Sequence, residues 1–94
     1  MWEELTKRIQ RKIIGSQVQV IDGDNSNDNI FAEIYKGSFL IIVEWDHDGT
    51  PYFFRQLIRK EIHDQMSGDA LLDHLTADIS RQIDNIVRGN TYGV

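Results

Sequence analysis

The chain has no cysteine. That excludes a disulfide framework, a thiolate nucleophile and any cysteine-ligated metal, and it fits a reducing, cytoplasmic setting. Proline occurs once, which excludes a polyproline tract or a proline-rich linker. No apolar run approaches the roughly 20 residues that cross a bilayer. The N-terminus lacks the basic, apolar, small-residue order of a signal peptide. No membrane association is therefore expected. Neither a glycine-rich dinucleotide or Walker loop nor a Gly-x-Ser-x-Gly elbow is present. The serines have no recognisable nucleophile setting, and no catalytic or cofactor-binding residue is assigned. There is also no internal repeat, low-complexity tract or interdomain linker.

What is there suffices for one domain over residues 1–94. Forty per cent of the residues are apolar, with two Trp, three Tyr and four Phe. A core of this size is modest, and a homodimer would help it. The net charge of −5 is unevenly spread. Residues 1–14 hold Lys7, Arg8, Arg11 and Lys12 against Glu3 and Glu4, whereas residues 15–54 hold seven acids against Lys36. An acidic middle argues against nonspecific nucleic-acid binding and for a partner protein with a basic surface. Its bland reading is solubility.

Trp2, Leu5, Ile9 and Ile13 form one helical stripe over residues 2–14, and Gly15 is placed to end it. Ser16–Ile21 alternates as a half-buried strand. The polar run 22–29 reads as an exposed loop. Ile30–Tyr35, Phe39–Trp45 and Tyr52–Leu57 read as strands. Lys36-Gly37-Ser38 and Asp48-Gly49 lie between them, so two consecutive hairpins are expected. Pro51 belongs at a strand start or edge. Residues 55–65 fit either strand or short helix. The strongest helix spans 70–88, with Leu71, Leu72, Leu75, Ile79, Ile83, Ile86 and Val87 on one face and Gly89 as its stop; 90–94 is a frayed tail. The expected fold is a two-layer α+β domain. It is an antiparallel meander of three to four strands, with the N-terminal and C-terminal helices packed on one face, ordered α-β-β-β-β-α or α-β-β-β-α-α.

Each candidate for chemistry meets a blander reading. Asp22, Asp24, Ser26 and Glu33 sit at calcium-loop positions 1, 3, 5 and 12, but Asn27 replaces the glycine the turn requires. Asp46-His47-Asp48 offers three consecutive ligands that diverge, and His63 and His74 have no helical histidine partner. No metal is expected. Glu44 and His47 would make an acid–base pair only if they shared a cleft. The basic face of the first helix, extended by Lys36, Arg55, Arg59 and Lys60 with Phe53 and Phe54 nearby, is the best nucleic-acid candidate.

The expected function is a non-enzymatic protein-binding domain, an inhibitor or adaptor that could mimic nucleic-acid charge. Helix–meander–helix order, small size and acidity are shared by many such proteins, including phage-encoded ones. Its surface would combine the acidic residues Asp22, Asp24, Asp28, Asp46 and Asp48 with the aromatic anchors Trp45 and Tyr52. The alternative is a nucleic-acid-associated protein using the N-terminal helix, and the third reading is a small hydrolase or nuclease.

Overall fold

The computed structural model of the chain describes residues 2–25, 29–66 and 68–92. Helix α1 spans Trp2–Lys12. Glu3 and Glu4 in its first turn and Arg11 and Lys12 in its last complement the helix dipole. Gly15 follows at φ 85°, and the Ser16 N–H donates to the Ile13 carbonyl at 3.1 Å, closing the helix end. Strand β1, Gln17–Asp22, leaves directly from this turn.

Strands β2, Ser38–His47, and β3, Thr50–Arg59, complete a three-stranded antiparallel sheet in the order β1-β2-β3. The β2–β3 hairpin closes at Asp48-Gly49, where φ is 51° and 81°. Positive φ at both central residues marks a type I′ turn, whose twist matches that of the strands. The turn fixes the register: Trp45 faces Tyr52, Val43 faces Phe54 and Ile41 faces Gln56. Ile41, Val43 and Trp45 therefore share one sheet face with Phe54 and Ile58. Helix α1 and the C-terminal helix α4, Gly68–Tyr92, cover that face through Leu5, Ile9, Leu71, Leu75 and Ile79. This is the expected two-layer α+β plan, with both terminal helices on one side.

The segment expected to be a strand at Ile30–Tyr35 is instead helix α2, Asn29–Tyr35. Ala32 and Glu33 favour helix, and Ile30 and Ile34 are spaced one turn apart. The sheet also leaves it no slot, because β1 pairs directly with β2, with Ile21 opposite Leu40. Gly37 at φ 72° thus ends a helix rather than turning a hairpin; both jobs need positive φ. One hairpin is formed, not two. A short 3-10 turn, Gly23–Asn25, joins β1 to this region. It packs tightly, since a Cβ on Gly23 would collide with the Tyr35 carbonyl.

The ambiguous stretch 55–65 divides in two. Strand β3 runs to Arg59, and helix α3 occupies Lys60–Gln65. Met66, extended at φ −95° and ψ 148°, breaks the chain before α4. Helix α4 spans Gly68–Tyr92 and so passes through Gly89. The expected stop there does not occur, because Gly89 does not adopt the positive φ that ends a helix. Residues 90–92 are helical, which corrects the expected tail at those positions. Among the described residues, no helix is long and apolar enough to cross a membrane.

Candidate functional site

The type I′ turn and its register build an open groove at the hairpin end of the sheet. Its volume is about 600 Å³. Trp45 and Tyr52 also line it, and their rings stack on the helix-covered side at 5.6 Å between centroids and 14° between planes. Trp45 is only 7% exposed and belongs to the core, so it acts as a rigid wall rather than a projecting anchor. Tyr52 is half-buried. His47 meets the Tyr52 ring edge-on at 6.3 Å.

Opposite-parity residues form the outer rim of this groove. Glu44 pairs with Phe53, and Asp46 pairs with Pro51; all four line the groove. Among the described residues, no lysine or arginine lines it. The exposed carboxylates Glu44 and Asp46 thus stand beside apolar and aromatic surface, and exposed Asp48 lies just past them in the turn. A lysine or arginine side chain suits this setting: its stem covers apolar surface while its charge meets carboxylates. Glu44, Pro51 and Phe53 were absent from the candidate surface read from sequence. Their signal was available, because a two-residue turn at Asp48-Gly49 sets every cross-strand pair on either side of it.

The other expected acids lie elsewhere. Asp22 is opposite Phe39 on β2, six residues from Trp45, which places it about 20 Å away along the strand. Asp22 and Asp24 are held by Lys60, with Nζ at 2.7 Å from Asp22 Oδ1 and 2.8 Å from Asp24 Oδ2. Asp22 also accepts the Asp24 N–H at 2.9 Å, and Asp24 accepts the Gly37 N–H at 2.9 Å. Bonds from Lys60 and then from these amides hold both carboxyls below their ordinary pKa. Lys60 is raised in turn, first by Asp22 and then by Asp24. This cluster ties the 3-10 turn, the end of α2 and the start of α3 together. Asp28 lies outside the described residues.

The basic face of α1 is similarly engaged. Arg8 donates to Asp73 on α4 at 2.8 Å and lies 3.4 Å from Glu4. Lys12 reaches Asp84 on α4 at 3.3 Å, and Arg11 reaches Glu4 at 3.7 Å. The bond from Arg8 to Asp73 leads the upward shift of the Arg8 pKa. Arg8–Asp73 and Lys12–Asp84 thus join α1 to α4, while the pairs to Glu4 lie within α1.

The calcium-loop spacing is also redistributed by the fold. Asp24 sits in the 3-10 turn, Glu33 lies in α2 and Ser26 is outside the described residues. Among the described residues, no three His, Asp or Glu side chains converge so as to hold a metal ion. His63 is taken up in an aromatic cluster, stacked on Trp2 at 5.5 Å and tilted against Phe39 at 5.3 Å.

No family model matches this chain, and neither a curated protein nor a solved structure matches it.

Proposed function

We propose that this chain is a non-enzymatic protein-binding domain that takes a basic segment of a partner into the hairpin groove. The observation that carries this reading is the groove itself. Two carboxylates, Glu44 and Asp46, border it beside the apolar Pro51 and Phe53, and among the described residues no base lines it. Asp46 and Asp48 retain the role read from sequence, while Asp22 and Asp24 serve the Lys60 cluster instead. An inhibitor or adaptor that occupies a basic surface fits this chemistry, with charge steering the encounter and the aromatics fixing the pose.

The test is a titration of the labelled protein with a lysine- and arginine-rich peptide, followed residue by residue in amide spectra. Shifts should cluster at 44–53 and weaken as salt rises. Replacing Asp46 and Asp48 with Asn should weaken binding about tenfold, a typical scale for losing close charge contacts. Replacing Lys7 and Arg11 with Gln should leave it within a few-fold. A shift pattern centred on α1, with tighter binding to DNA than to the peptide, would refute the reading.

A further inference from the structure

The face of the sheet turned away from α1 and α4 carries a second, independent pattern. Register and parity place Ile42 opposite Arg55, and Glu44 opposite Phe53, on that outer face. Phe53 is 60% exposed and Leu57, further along β3, is 48% exposed. Only the far end is covered. Leu40 on the same face is 3% exposed, with Tyr35 at the end of α2 beside it. The Arg55 guanidinium lies 5.2 Å from the Phe53 ring centre, on the face itself. The four side chains thus mark the corners of a quadrilateral. Apolar groups occupy one diagonal and opposite charges occupy the other.

We infer that this outer face pairs with a second copy of the chain, through a two-fold axis running along the Ile42–Phe53 diagonal. That axis lays each Ile42 against its counterpart and each Phe53 ring against the other. It sets Glu44 of one copy over the partner's Arg55, twice. The alternative diagonal would set like charge on like charge, so the pattern selects one arrangement and disfavours its rival. A partner of a single charge sign would leave either Glu44 or Arg55 opposed by its own sign. Edge-to-edge extension of the sheet is disfavoured, because Pro51 lacks an N–H and blunts the start of β3.

Strands spaced about 4.8 Å apart and rising about 3.3 Å per residue, β2 and β3 of ten residues and β1 of six, present at most a face of roughly 15 by 30 Å. This is smaller than the ~800 Å² per partner of a standard interface. The dimer is therefore weak and concentration-dependent. Glu44 and Phe53 also border the hairpin groove, but the inference does not rest on what that groove binds.

Sedimentation equilibrium from about 10 μM to 1 mM, the range of weak interfaces, tests it. The wild type should pass from monomer to dimer. Arg55→Glu and Glu44→Arg should each weaken association about tenfold or more through like-charge contacts. The double swap E44R/R55E should restore it to within a few-fold, because the pairing is then reversed rather than lost. Circular dichroism confirms that each variant is folded. Asp48→Asn, in the turn beyond the face, should dimerise like wild type, which separates this test from that of peptide binding. A wild type that stays monomeric to about 1 mM, or a double swap no better than the singles, overturns the inference.

Discussion

Lys60 shows how one side chain can tie several segments together at a junction. It bonds Asp22 and Asp24 through Nζ, donates its backbone N–H to the Gly37 carbonyl at 2.9 Å and lies 5.1 Å from the Phe39 ring centre. Asp22 and Asp24 have lowered pKa values, so their contribution is present above the unfolded value near 3.8 and is lost as pH falls through the folded one. Lys60 has a raised pKa, so its contribution holds below about 10.5 and is lost as pH rises through the folded value. Lys60→Met should therefore lower the urea midpoint at pH 7. The gap from wild type should be narrower at about pH 3, below the unfolded value near 3.8, because the lowered carboxyls begin to protonate there. An equal gap at both pH values would show that the ion pairs contribute nothing. Gly23 is the other residue this junction depends on. Gly23→Ala forces its Cβ into the Tyr35 backbone and should cost about 1–3 kcal/mol, the usual scale of overpacking, by urea unfolding.

Among the elements, α4 is the longest, at 25 residues. Its polar flank is tied to α1 by Arg8–Asp73 and Lys12–Asp84 and to β3 by Gln56, whose amide donates to Asp78 at 3.3 Å. Gln82 bonds both Asp78 and Gln56. Arg81 and these amides hold the Asp78 carboxyl below its ordinary pKa. Gly89 has no such task. It lies within the helix, with nothing within 4 Å of the position its Cβ would take. Gly89→Ala should stabilise the protein by about 0.5–1 kcal/mol, by restricting the unfolded chain and restoring helix propensity. A rise in thermal midpoint measures this; a fall would mean that glycine is needed there after all.

The core of the molecule is formed by α1 and α4 on one sheet face, and its stability rests on that contact. Leu75 and Ile79 are fully buried in it. Leu75→Ala and Ile79→Ala should each cost about 2–5 kcal/mol in denaturant unfolding. A loss below about 1 kcal/mol for both would place the core elsewhere. The second sheet face is apolar in part and charged in a self-matching pattern, and it shares Glu44 and Phe53 with the hairpin groove.

Periodicity and turn chemistry by themselves determined the parts whose signal is local. The stripe Trp2, Leu5, Ile9 and Ile13 gave α1, the Leu71–Val87 stripe gave α4, and Asp48-Gly49 gave the hairpin, because each depends on residues a few positions apart. The hairpin turn also implied Glu44 opposite Phe53, although only the paired strands display the groove this makes. Ile30–Tyr35 fits strand and helix equally as a short apolar run. Its state was decided by β1 pairing with β2, a contact between residues far apart in sequence. Likewise Asp22 and Asp24 carry the same formal charge as Asp46 and Asp48. Only the fold brings Lys60 to the first pair and leaves the second pair in solvent, since ion pairing depends on distance in space and not on order along the chain.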